Sequence, residues 1–251
     1  MKRRNHNANG KKRENGVVIL AAVLIGVLAL SLTVVAVNRF LKTVGNGSDL
    51  QGANGYPTIP TDSYAGEVYQ LDNGLTVTYI GSYTGIYMED GTNETVSGIM
   101  MIILKNNAGA DLQLARIDVA YEGFTAQFEA TNIPAGESVV LLERNRHGYV
   151  AQTPVSVSAR NVVFFHMPMT MESDRLEVSG NDGVIQVKNT SGKDISSNIY
   201  IYYKNAATDL LYGGITYRVT LKGLAAGETI KVSAVHYDPD TCRLMMVTCG
   251  E

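Results

Sequence analysis

The string His166-Met167-Pro168-Met169-Thr170-Met171 gathers one imidazole and three thioethers within six residues. These are soft ligands suited to Cu(I), and in a strand Met167, Met169 and Met171 share one face. A blue-copper centre needs two histidines and a cysteine, which the string lacks. Methionine is also an ordinary gap-filler in β cores, and Pro168 marks an edge or irregular segment, so packing is the competing reading. A second candidate is rich in oxygen. The loop Asp90-Gly91-Thr92-Asn93-Glu94 offers Asp90, Asn93 and Glu94 to Ca²⁺, and Asp238-Pro239-Asp240 offers two more carboxylates. Neither has EF-hand spacing, and solvated turns are the usual employment of such strings.

Catalysis has less to work with. His147, His166 and His236 lie in separate segments, and the chain carries no Gly-x-Ser-x-Gly, no His-Glu-x-x-His and no Gly-rich phosphate loop. The expectation is a non-enzymatic protein that needs no cofactor. Cys242 and Cys249 are the only cysteines. The six residues between them contain no turn former, and in one regular strand an odd separation of seven puts the thiols on opposite faces, ~23 Å apart and beyond disulfide reach. Free or intermolecularly paired thiols follow. Tyrosine, with 14 copies against no tryptophan, is the candidate contact residue. If Ile199, Ile201 and Tyr203 face a core, Tyr200 and Tyr202 point outward as a pair of amphipathic rings fit for a partner.

The elements that must hold these groups are strands. Leu75-Val77-Tyr79, Val155-Val157-Ala159, Ile215-Tyr217-Val219-Leu221 and Ile230-Val232-Ala234 each alternate with polar residues, the period of a half-buried strand. Ile99 to Leu104 is continuously apolar, as a central strand covered on both sides requires. Asp72-Asn73-Gly74, Glu89-Asp90-Gly91 and Asn181-Asp182-Gly183 supply the turns between runs. No convincing helical stripe occurs after residue 65, and the predicted ectodomain is all-β.

One segment has a different physics. Val17 to Val37 is 21 residues without a charge, interrupted only by Gly26, Ser31 and Thr33. As a helix it would run ~31 Å, enough to cross the ~30 Å hydrocarbon core of a bilayer. Lys2, Arg3, Arg4, Lys11, Lys12 and Arg13 precede it against one Glu14, while only Arg39 and Lys42 follow closely. The positive-inside rule then predicts a cytoplasmic N-terminus and an extracytoplasmic bulk. The run exceeds a signal-peptide h-region, so an uncleaved signal anchor is expected. The first 16 residues carry six basic and one acidic side chain; the other 235 carry 15 basic and 23 acidic, a net −8. An anionic ectodomain argues against nucleic acid. Residues 38–65, punctuated by glycine, proline and asparagine, read as a flexible stalk with a coil span of ~30 Å.

The ectodomain repeats itself. Leu104-Lys105-Asn106-Asn107-Ala108-Gly109-Ala110-Asp111-Leu112 aligns with Val187-Lys188-Asn189-Thr190-Ser191-Gly192-Lys193-Asp194-Ile195 at an offset of 83. Ile133-Pro134-Ala135-Gly136-Glu137-Ser138 aligns with Leu224-Ala225-Ala226-Gly227-Glu228-Thr229 at an offset of 91. Two tandem β-sandwiches explain this, with a boundary near Tyr149 to Thr153. The predicted organisation is a basic tail 1–16, a transmembrane helix 17–37, a stalk 38–65, and sandwiches over 66–150 and 151–251.

A strand ending in Lys-Asn, a Ser/Gly turn, an alternating strand and a Leu-x-x-Gly-Glu-Thr turn together resemble the FxLYD-type and related immunoglobulin-like domains of bacterial envelope proteins. Val184 to Tyr237 is the closer match and Ile99 to Arg144 the weaker one. The family's Phe-x-Leu-Tyr-Asp string itself is absent, and Asp209-Leu210-Leu211-Tyr212-Gly213 is only loosely similar. The resemblance implies fold and location and no catalytic residue. The expectation is therefore a single-pass membrane protein that meets a protein partner at the bacterial cell surface, by edge-strand pairing or through Tyr200 and Tyr202. The alternatives are an envelope metal-binding protein, using His166, Met167, Met169 and Met171 or Asp90, Asn93 and Glu94, and an accessory subunit of a membrane complex.

Overall fold

Alternating and continuous apolar runs become strands wherever a second sheet is available to cover them, and the longest runs form the longest hairpin. The computed structural model describes residues 67–207 and 210–250. Strands β1 (Tyr69–Gln70), β2 (Leu75–Ile86) and β3 (Thr95–Asn106) come first among the described residues, with the Asp72–Gly74 turn between the first two. Along β3 the apolar run divides by parity. Met100, Ile102 and Leu104 enter one core with Leu112, Ile117 and Phe128, while Ile99, Met101 and Ile103 enter another cluster with Tyr83, Tyr87 and Leu142. Both faces of this strand are buried, as its composition requires.

Four strands complete the first pass: β4 (Leu112–Tyr121), β5 (Phe124–Ile133), β6 (Ser138–Leu142) and β7 (Ser156–Phe164). Six more follow: β8 (Leu176–Asn181), β9 (Val184–Asn189), β10 (Ile195–Ala207), β11 (Leu210–Leu224), β12 (Thr229–Ser233) and β13 (Cys242–Cys249). The pairing scheme of β2 to β7 recurs in β8 to β13. In the first pass β2-β3-β6 is one set of neighbours and β5-β4-β7 the other; in the second they are β8-β9-β12 and β11-β10-β13. A first core lies between the first two sets and a second core between the last two. Each is an apolar filling between two sheets whose strands point alternate residues inward.

The two passes share a sheet. β6 and β11 pair in parallel through Leu210↔Ser138, Leu211↔Val139 and Tyr212↔Val140. This joins the strands into the order β1-β2-β3-β6-β11-β10-β13, a single seven-stranded sheet that includes strands from both sides of residues 149–153. β7, which follows that segment, pairs with β4. All described residues belong to one compact unit.

The sequence repeat is one hydrogen-bonded lock used twice. Asn106 is fully buried; its Nδ2 donates to the carbonyls of Ala110 and Ile133, both at 3.0 Å, and its Oδ1 accepts from Ala108 N at 3.1 Å. Asn189, equally buried, donates to Lys193 and Leu224 at 2.7 and 3.0 Å and accepts from Ser191 N at 3.0 Å. Asp111 takes Ala135 N at 2.9 Å, and Asp194 takes Ala226 N at 2.8 Å. Gly136 and Gly227, at φ 83° and 75°, turn their amides onto the carbonyls of Asn106 and Asn189. Glycine is needed there because other residues rarely adopt that backbone. Each lock pins two distant turns, so its buried polar atoms are satisfied by the backbone they fix.

One sequence expectation is corrected here. Cys242 and Cys249 do lie on one strand and are free, but they do not face opposite ways. Register against β10 passes from Tyr202↔Met246 to Tyr203↔Leu244, leaving Met245 as a bulge. The extra residue reverses the parity of the strand. Cys242, Leu244, Val247 and Cys249 therefore all join the second core, while Met245 and Met246 join the first. Among the described residues no helix is long and apolar enough to cross a membrane. The tail 1–16, the anchor 17–37 and the stalk 38–65 lie outside the described residues.

Candidate functional site

The methionine string is not a strand. Residues 165–171 form an irregular connection between β7 and β8, tied by Met169 N to Asp111 Oδ2 at 2.7 Å and by Thr170 O accepting from Val247 N at 2.8 Å. Without a strand's period of two, the thioethers part company. Met169 packs on the first core, Met171 on the second, and Met167 is 76% exposed beside an exposed His166. Among the described residues no cluster of three or more His, Cys, Asp or Glu side chains could hold a metal ion.

The acidic loop does meet a cation, and the chain supplies it. Arg146 reaches Asp90 Oδ2 at 2.9 Å and Glu94 Oε2 at 2.8 Å, with its guanidinium 4.3 Å from the centroid of the Tyr87 ring. Asp90 Oδ1 accepts the amide and hydroxyl of Thr92, at 2.9 and 2.7 Å. Burial works to raise the Asp90 carboxyl, but Thr92 and Arg146 outweigh it and hold the group below its ordinary value. Asn93 sits at φ 57°, a left-handed turn conformation that asparagine tolerates. The Asp238 loop is likewise an internal turn, with Asp240 N donating to Asp238 Oδ1 at 2.8 Å.

Tyr200 and Tyr202 occupy the face of β10 opposite the buried Ile199, Ile201 and Tyr203. They differ in what surrounds them. Tyr202 packs against the first core, near Met246, its registered partner. Tyr200 is flanked by Thr220 and Thr248 on the neighbouring strands, and Arg218 places its guanidinium 5.3 Å from the ring centroid. Tyrosine beside arginine is the composition of a contact patch, since both combine apolar area with directed hydrogen bonds.

Three ionisable residues that no sequence motif marks hold interior backbone, and two of them, Glu89 and Lys204, lie where the two passes meet. Beyond Tyr212↔Val140, the next two residues of each strand bring Gly214 to the level of Leu142. There the Glu89 carboxylate takes Leu142 N at 2.8 Å and Gly214 N at 2.6 Å, in place of ladder bonds. A Cβ on Gly214 would lie 1.7 Å from Glu129 O, so only glycine fits. Lys204, fully buried on β10, donates to Ile215 O at 2.7 Å. Burial pushes the Glu89 carboxyl up to about 7 and the Lys204 amine down to about 7, while each draws the other back toward its charged form. The third residue is Glu143, fully buried, whose carboxylate accepts the backbone amides of Gln127, Asn145 and His147 at 3.2, 2.8 and 2.8 Å. The one signal in the sequence was Lys204 itself, a cation directly after the alternating residues Ile199 to Tyr203. Glu89 was hidden in what reads as an ordinary turn.

No family model and no curated protein matches this chain.

Proposed function

We propose that the chain is a non-catalytic binding module, held at a bacterial cell surface by residues 17–37 and made of two tandem immunoglobulin-like β-sandwiches of the FxLYD-related kind. The duplicated lock carries this reading. The buried polar groups Asn106, Asn189, Glu143 and Lys204 and the half-buried Glu89 all bond to backbone, so the chemistry inside the protein serves shape. What remains for recognition is on the surface, and the patch of Tyr200 and Arg218 has the composition that protein interfaces favour.

A photo-crosslinking residue placed at Tyr200 in the full chain, in its native cells, tests the partner. A discrete conjugate is expected, lost on Arg218→Glu and absent when the crosslinker is moved to Val235. Identical products from positions 200 and 235 would remove the patch from consideration. Location is tested separately with a membrane-impermeant thiol reagent on intact cells. Val235→Cys should label above the wild-type background and Asn5→Cys should not; the reverse pattern refutes the proposed topology.

A further inference from the structure

A cleft of ≈300 Å³ opens at the other end of the seven-stranded sheet from β13. Glu67, just before β1, lines it with Tyr69 of β1 and Ile80 of β2, Tyr121 from the end of β4, and Tyr149 with residues 151–154 from the segment after β6. Its size is at the small end of ligand pockets. Three of its walls are tyrosines. The lining holds one carboxylate and, among the described residues, no cationic side chain.

One atom in it is unpaid for by the fold. Tyr121 is 6% exposed, and its hydroxyl is a buried polar atom without a hydrogen-bond partner among the described residues. Its ring is fixed by stacking on Phe124, with centroids 5.0 Å apart and planes 12° from parallel. A buried hydroxyl left unpaired is destabilising, and native structures seldom keep one without a use. Tyr69, by contrast, donates to Glu67 Oε2 at 2.8 Å, which orients that carboxylate. Burial raises the Tyr121 phenol, with Tyr149 adding to it, and burial and Glu67 push the Tyr69 phenol up to about 12. Tyr69 and Tyr121 stay neutral at physiological pH, and among the described residues of the lining only Glu67 brings a charge.

We propose that this cleft binds an alkylammonium group, with the cation against the tyrosine rings and Glu67 and an N–H donated to the Tyr121 hydroxyl oxygen. Aromatic faces attract cations through the ring quadrupole, and desolvation strengthens the attraction. The carboxylate repels phosphate and carboxylate ligands. A neutral polyol would satisfy Tyr121 but make no use of the charge. The site lies on β1, β2 and β4, apart from Tyr200, and neither proposal depends on the other.

The test is an NMR titration of the isotopically labelled full chain in detergent with n-butylammonium, n-butanol and glucose as probes. Saturable shifts at Tyr69, Tyr121, Tyr149 and Thr153 are expected with butylammonium, with butanol weaker by about tenfold or more. Glu67→Gln should weaken butylammonium by a similar factor. Tyr121→Phe should weaken it as well, yet leave the protein as stable as the wild type or more so, because the unpaired hydroxyl is gone. That opposition separates a lost site from a lost fold. Equal binding of butanol, indifference to Glu67→Gln, preferential binding of glucose, or no saturable shift with butylammonium would each overturn the proposal.

Discussion

Replacing Asn106 by alanine removes two donated bonds and one accepted bond in a fully buried position. The carbonyl of Ile133 is left buried and unpaired, and those of Ala110 and the amide of Ala108 are left partly so. At about 1–3 kcal/mol for each stranded buried group, discounted for the two near solvent, the loss is about 3 kcal/mol. In a cooperative unit of this size that lowers the melting temperature by about 6–12 °C. Asn189→Ala strands the matching set, Leu224 O, Lys193 O and Ser191 N, and should cost the same. The two sites share no partner, so the double variant should lose the sum to within about 0.5 kcal/mol. Urea denaturation of residues 51–251, followed by circular dichroism, measures all three, with exposed Asn198→Ala as the control expected within about 0.5 kcal/mol of wild type. A loss below about 1 kcal/mol in both locks, or one lock costing several times the other, would refute the claim that they are equivalent structural devices.

The junction gives two further outcomes. Lys204→Met strips Ile215 O of its donor and removes a cation that favours the charged form of Glu89, and should cost about 1–3 kcal/mol, while Glu89→Gln with Lys204→Met should cost less than the sum of the two single changes; additive losses in a denaturation cycle would show that the two do not interact. The pair also sets a pH dependence. Folded Glu89 keeps a proton that the unfolded chain releases above 4.5, so stability falls as pH rises from there toward about 7; folded Lys204 gives up a proton that the unfolded chain keeps until 10.5, so stability rises from about 7 upward. Denaturation midpoints across this range should pass through a minimum near neutrality that flattens in the double variant, and an unchanged profile there would assign the dependence to other groups.

Strand character, the doubly buried β3 and the repeat were all readable along the chain, because each is written in neighbours: alternation, an unbroken apolar run, and two copies of a turn motif. What escaped depends on residues far apart. Nothing near Ser138 announces that β6 will pair with Leu210 and its neighbours, and nothing near Asp90 announces Arg146 as its counter-ion. A strand's geometry would put the three methionines on one face, but Pro168 and the ties to Asp111 and Val247 do not permit it. The cysteine parity failed for one residue, Met245, whose bulge is set by register against β10. Tyr121 carries no signal in the sequence; its hydroxyl is notable only because none of the described residues around it reaches it.

The parallel seam between β6 and β11 has a mechanical meaning. The chain enters the seven-stranded sheet at β1 and leaves it at β13, its two outermost strands. Any tension between an anchor before Glu67 and a grip on β13 must therefore cross every ladder of that sheet in series, and its yield point is that of the shortest rung. Among the inner ladders of that sheet, the seam is the shortest, three registered pairs against five between β3 and β6. The Glu89 carboxylate, holding an amide on each side of it, is a fourth fastening. Under stretch, such a protein would peel first at the two-pair ladder between β1 and β2 and next at the seam, where its two halves would separate, each keeping its own locked core.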